Sequence, residues 1–192
     1  TCALPIFLRS KLKGKTGEGL NMSVEKYIQE KLKMGTVHIT LIDPLKQSPE
    51  VAKRLAHTAQ EVGSDLILVA GLSGLSQKTL LEVIRFIKED ISIPVVYAPS
   101  GAEALSFSFD AFFFYTLLNA KNCNFINGVQ TQGAIILKRI GIETIPMGYL
   151  VVEPGIRIDK SVELELVPRQ NFWLAASYAT MAELFGMKYI YL

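Results

Sequence analysis

The chain has 192 residues, with 20 Lys and Arg against 18 Asp and Glu, a 49% hydrophobic content and a mean hydropathy of +0.29. That apolar fraction excludes a disordered chain, the net charge of +2 excludes a strongly basic nucleic-acid-binding surface, and the length suits one domain. Cys2 and Cys123 supply neither a disulfide framework nor zinc-ligand spacing, and no apolar run approaches the ~18 residues of a membrane-spanning helix.

Residues 1–21 fit neither a helix nor a signal peptide. Thr1-Cys2-Ala3-Leu4-Pro5-Ile6 matches a common sequencing-library adapter read in frame, and Gly17-Glu18-Gly19 before Met22 is what a purine-rich ribosome-binding site would encode. The segment is read as translated adapter and upstream DNA, with a native tail as the alternative, and 22–192 as the domain. Without Arg9, Lys11, Lys13, Lys15 and Glu18, 16 basic residues face 17 acidic ones. Cys123 is then the lone cysteine and is expected to be buried.

From Met22 to Lys33, Tyr27, Ile28 and Leu32 recur at helical spacing behind a Ser23 N-cap. Thr36–Ile42 is short and β-branched, which predicts a buried strand stopped by Asp43-Pro44. Ser48–Val62 reads as a helix with Val51, Leu55, Ala59 and Val62 inward, and Leu66–Ala70 as the next buried strand. Gln77–Lys88 is a helix burying Leu80, Leu81, Ile84 and Ile87, followed by strands at Pro94–Tyr97 and Ala111–Tyr115. Ile126–Ile140 is a helix ended by Gly141, Thr144–Val152 a fifth strand, Asn171–Phe185 a helix, and Lys188–Leu192 the start of a sixth strand.

Apolar strands alternating with helices mean parallel strands covered by helices. A doubly wound sheet and a (β/α)8 barrel both satisfy the pattern. Asp43, Ser73, Pro99-Ser100-Gly101 and Glu153 follow strands, on the edge where either fold binds ligands. The chain carries no Gly-x-Gly-x-x-Gly after the first strand and no Walker A loop, which favours the barrel. Six strands in 171 residues from Met22 stop short of closing one, so the expected fold is a TIM (β/α)8 barrel cut at the start of strand six.

Several stretches together resemble the geranylgeranylglyceryl phosphate synthase family. They are His38-Ile39-Thr40-Leu41-Ile42-Asp43-Pro44, Phe109–Phe114 with Leu117-Leu118-Asn119 and Lys121-Asn122, and above all Ile145-Pro146-Met147-Gly148-Tyr149-Leu150-Val151-Val152-Glu153-Pro154-Gly155. Met187–Leu192 is similar to the lead into the family's Tyr-Leu-Glu-Ala-Gly-Ser-Gly phosphate loop. The chain departs from the pattern where Leu45 replaces the second Asp of Asp-Pro-Asp-Lys, and where Ala70-Gly71-Leu72-Ser73 stands for Gly-Gly-Ser.

The resemblance implies a TIM-barrel enzyme that transfers a prenyl group to the 3-hydroxyl of sn-glycerol 1-phosphate, with Mg2+ and loss of pyrophosphate. A heptaprenylglyceryl phosphate synthase-like enzyme and a phosphate-binding barrel isomerase are the alternatives. It implies Asp43 and Ser73 as metal ligands, with position 72 the competing alignment. Tyr191 and Leu192 would open the glycerol-phosphate loop, whose Glu, the expected base, follows Leu192. Magnesium takes only one or two protein oxygens, so an Asp and a hydroxyl suffice. Lys46 is assigned to phosphate charge or to a solvated helix start. Glu153 is assigned to the catalytic face or to a turn, and Tyr149 to the barrel interior or to helix packing. His38 is read as a core histidine and His57 as surface, and some of Phe107, Phe109, Phe112, Phe113, Phe114 and Tyr115 are expected to line a prenyl groove. The expected partners are sn-glycerol 1-phosphate and a prenyl diphosphate, without nucleic acid or a transmembrane segment. A peripheral membrane contact, a homo-oligomer and a cytoplasmic location complete the expectation.

Overall fold

In the computed structural model, residues 22–70, 76–98, 108–155 and 162–192 are described. Strands β1 (Ile39–Ile42), β2 (Leu66–Ala70), β3 (Val95–Ala98), β4 (Ala111–Leu117), β5 (Glu143–Tyr149) and β6 (Tyr189–Tyr191) form one sheet in chain order. All five pairings are parallel, from Ile39 opposite Leu66 to Tyr149 opposite Tyr191. Helices α1 (Val24–Met34), α2 (Pro49–Glu61), α3 (Gln77–Lys88), α4 (Val129–Ile140) and α5 (Phe172–Leu184) alternate with them. The result is an α/β half-barrel of six parallel strands.

Period-two alternation divides the sheet's side chains between two layers. Outward, Ile67, Val69, Val95, Tyr97 and Phe112 pack with Ala52, Ala56 and Ala59 of α2 and Leu80, Val83, Ile84 and Ile87 of α3. Inward, Leu66, Val96, Ala111, Phe113 and Ile145 pack with Val24 and Ile28 of α1. Helix α1 therefore plugs the inside of the curved sheet near the N-terminal ends of its strands. Its Ser23 Oγ caps the Lys26 N–H (3.2 Å), and the Glu143 carboxylate accepts the Val24 and Glu25 N–H groups at 2.6 and 2.9 Å.

Several expectations need correction. On α2, small residues make the buried face, while Leu55 and Val62 are exposed. Alanines let α2 lie close against α3 and the sheet. On α3, Val83 takes the buried place expected of Leu81. Leu32 of α1 is exposed. Strand β1 is half open, because Ile39 and Leu41 point into a cavity instead of a packed layer. The first turn of the fourth expected helix is a π-helical turn, Asn124–Gly128. Strand β5 ends at Tyr149, after which the chain meets the segment 162–167. Cys123 is exposed. His38 is exposed too, its Nδ1 lying 2.8 Å from Ser64 Oγ at the N-terminal edge of the sheet. Among the described residues, no helix is long and apolar enough to cross a membrane.

Candidate active site

Above the plugged layer, the inward residues of all six strands enclose a cavity of about 440 Å³. Ile39, Leu41, Leu68, Ala70, Ala98, Phe113 and Met147 make its apolar wall. Toward the C-terminal ends of the strands stand Tyr115, Tyr149, Tyr191 and Asp43. The Tyr149 ring packs edge-on to Tyr191 (4.8 Å between centroids) and to Tyr115 (6.2 Å). Burial pushes the Tyr149 phenol up to about 12, with the neighbouring Tyr191 and Tyr115 adding to the shift, and burial raises Tyr115 as well. These hydroxyls therefore stay protonated at neutral pH. Tyr149 is thus an interior residue, which settles the choice that its sequence context leaves open.

Asp43 is 9% exposed and, among the described residues, is the single charged residue in this wall. Its Oδ1 accepts the Leu45 N–H at 3.0 Å, and its backbone N–H donates to Gln47 Oε1 at 3.0 Å. The turn-forming reading of Asp43-Pro44 is therefore correct as far as it goes. That turn also fixes the carboxylate at the mouth of the cavity. Asp43 Oδ2 lies 3.1 Å from the Lys46 ammonium, whose side chain is 73% exposed. The second oxygen is thus paired with an exposed lysine on the solvent side. Among the described residues, no three His, Cys, Asp or Glu side chains gather into a metal cluster. One carboxylate oxygen with water and phosphate is the ligand set that suits magnesium.

The other assigned residues divide. Tyr191 lines the cavity, whereas Leu192 is 74% exposed and outside its wall. Glu153 also lies outside it. Its Oε2 accepts the Arg169 N–H at 3.4 Å and its carbonyl accepts Arg169 Nε at 2.7 Å. Ser73, position 72, Phe107 and Pro99-Ser100-Gly101 lie outside the described residues. Of the aromatic run, Phe113 and Tyr115 reach the cavity, while Phe109 and Phe112 pack around Tyr97 on the outer layer. His57 is on the surface, 3.3 Å from Glu61. Individual residues gave no warning of the wall formed by Ile39, Leu41 and Leu68. The signal was the alternation along each strand.

A model of the PcrB family matches residues 26–192. The geranylgeranylglyceryl phosphate synthase of Pyrococcus horikoshii is 44% identical over 169 residues, which are 88% of this chain and 66% of that one. The synthase of the same name from Methanosphaera stadtmanae is 42% identical over 171 residues, 89% and 70% of the two chains. The chain spans about two thirds of the length of the curated relatives it matches. Among solved structures, the (S)-3-O-geranylgeranylglyceryl phosphate synthase of Thermoplasma acidophilum, in complex with sn-glycerol-1-phosphate, superposes with a TM-score of 0.82 at 36% identity. That match covers 88% of this chain and 69% of the other. The wild-type GGGPS of Thermoplasma volcanium gives 0.84 at 34% identity, covering 88% and 68%.

Proposed function

The chain belongs to the PcrB family, and we propose that it is a magnesium-dependent prenyltransferase joining a geranylgeranyl group to the 3-hydroxyl of sn-glycerol 1-phosphate. The carrying observation is an apolar cavity of about 440 Å³ with the Asp43 carboxylate at its mouth. The volume lies within the range of small-molecule sites. The proposed architecture is a (β/α)8 barrel whose first six strands are β1–β6, in keeping with the share of the relatives' length that the chain spans.

The apolar wall receives the isoprenoid chain, since each buried CH₂ contributes ~0.8 kcal/mol. Asp43 would hold magnesium, with Ser73 as the proposed second ligand, and the ion would supply charge neutralisation to the leaving diphosphate. Lys46 extends from the same turn and adds positive charge to that anion. Tyr191 presents its aromatic ring beside the mouth, where positive charge grows on the allylic carbon as its bond to the diphosphate oxygen breaks, while the Tyr149 ring packs on the isoprenoid chain. The new bond forms between that carbon and the glycerol 3-oxygen, and pyrophosphate departs. The hydroxyl proton goes to a base that we place on the phosphate loop following Leu192 in the family pattern.

The enzyme is proposed to act as a homo-oligomer, which sedimentation of the full-length protein measures. Helix α5 offers apolar surface for such contacts, with Phe172 76% and Trp173 86% exposed. The functional test supplies full-length protein with sn-glycerol 1-phosphate and geranylgeranyl diphosphate. Pyrophosphate release that requires magnesium is expected, with slower turnover of sn-glycerol 3-phosphate. Faster turnover of a C35 diphosphate would assign the heptaprenyl alternative. No pyrophosphate release from either donor would overturn the reading.

A further inference from the structure

The Leu117-Leu118-Asn119 motif is not used by the reaction as described, yet it ends in one of three buried polar or charged residues among those described. Asn119 is 2% exposed and stands two residues beyond β4. Its Oδ1 accepts the Val151 N–H at 3.1 Å, and its Nδ2 donates to the carbonyls of Val151 (2.9 Å) and Glu165 (2.8 Å). Its own carbonyl accepts the Glu165 N–H at 2.9 Å. The carboxamide thus plays the part of a strand backbone toward Val151, one step past the Leu118 N–H to Tyr149 carbonyl bond (2.8 Å) that ends the β4–β5 pairing.

What Asn119 secures is a strap, residues 162–167. Backbone bonds run from Lys121 N–H to the Glu163 carbonyl (2.9 Å), from Val167 N–H to the Val151 carbonyl (3.2 Å), and from Glu153 N–H to the Val167 carbonyl (2.9 Å). Val162, Leu164 and Leu166 of the strap pack against Leu117, Ala120 and Val151, and Tyr149 belongs to the same cluster. The Tyr149 ring is therefore held between the cavity on one side and the strapped cluster on the other. Leu166 also covers Gly155, where an added Cβ would come within 3.3 Å of its Cδ1.

We propose that Asn119 is a positioning residue for the cavity, clamping the 162–167 strap to the ends of β4 and β5 so that Tyr149 is set for the prenyl donor. The proposal rests on the prenyltransferase reading for its substrate and on the hydrogen bonds for its mechanism. It predicts an effect on binding more than on chemistry, because Asn119 touches neither the cavity nor Asp43.

The test compares Asn119→Asp, Asn119→Ala and Leu166→Ala in the full-length protein. Asn119→Asp keeps the shape and the acceptor for Val151 N–H, but it turns an oxygen toward two carbonyl oxygens. Leu166→Ala loosens the strap while leaving the carboxamide intact, and it carries the test if the Asn119 variants do not fold. A roughly 10-fold rise in KM for geranylgeranyl diphosphate is expected, with kcat within about 3-fold of wild type, as for loss of binding common to ground and transition states. Amide hydrogen exchange should accelerate at Val151, Glu165 and Val167 and stay unchanged at Val96 in the sheet. A wild-type KM in folded variants, or unchanged exchange at Glu165, would overturn the proposal. An inactive parent protein would instead overturn the prenyltransferase reading, and the exchange measurement would still decide the clamp.

Discussion

Replacing Asp43 by Asn separates the fold from the proposed chemistry. The amide keeps an oxygen for the Leu45 N–H, so the turn after β1 retains its side-chain bond. The lost ion pair reaches a lysine whose side chain is 73% exposed, and such pairs contribute about 0–1 kcal/mol. For a protein of this size that is a melting shift of roughly 2–4 °C at most. Loss of the proposed magnesium anchor is a different matter. Charge stabilisation by a catalytic metal is worth several kcal/mol, and each 1.36 kcal/mol is tenfold in rate. A fall of about 10³-fold in turnover is therefore expected. Pyrophosphate release across a magnesium titration, beside calorimetric magnesium binding and thermal melting, measures all three quantities. An Asp43→Asn enzyme within about tenfold of wild type at saturating magnesium would refute the metal assignment. A large loss of stability would refute the separation.

Glu143→Gln removes the negative charge from the N-terminus of α1, where the carboxylate accepts two backbone N–H groups. The helix plug should weaken by about 1–2 kcal/mol, read as a lower urea midpoint. The alkaline limit of stability should carry the signature of Tyr97, which is 4% exposed, stacked on Phe109 at 4.6 Å, and pushed by burial up to about 12. Because the phenolate is disfavoured in the folded state, this contribution is intact below pH 10 and is lost between about pH 10 and 12. The loss is about 2–3 kcal/mol. Tyr97→Phe should flatten that part of the stability–pH curve, and an unchanged slope would place the alkaline transition elsewhere.

The sequence made the strands legible because their inner and outer faces are both apolar, and it made the start of α1 legible through Ser23, whose hydroxyl caps that helix. It misled where burial depends on tertiary geometry. Leu55 outranks Ala52 and Ala56 in apolar size, yet the close approach of α2 to its neighbours favours the alanines. Ile39 and Leu41 resemble core residues, but they face the cavity. Asp43 could be found because a carboxylate at a strand's C-terminal end is chemically conspicuous. Asn119 could not be assigned, since its partners Val151 and Glu165 lie 32 and 46 residues away and contribute only backbone groups.

The division of the half-barrel interior explains how a site this apolar can coexist with a stable sheet. The lower inward layer, Leu66, Val96, Ala111, Phe113 and Ile145, is closed by α1 and provides the inner packing. The upper layer keeps the same alternation but leaves Ile39 39% and Leu41 56% exposed, surface that a substrate chain can cover. Apolar side chains there contribute to ligand binding what core residues contribute to folding, through the same removal of apolar area from water. Such a wall can bind a hydrocarbon but cannot orient its polar end. Orientation falls to the few polar groups at the strand ends, and among the described residues of the wall these are Asp43 and the three tyrosines. Two of them are fixed by their neighbours: Asp43 by the Leu45 and Gln47 bonds, and Tyr149 by two other rings and the strap that Asn119 holds. Among the described residues, the polar groups of the site thus stand at the strand ends, supported by an apolar wall that repeats the pattern of the fold.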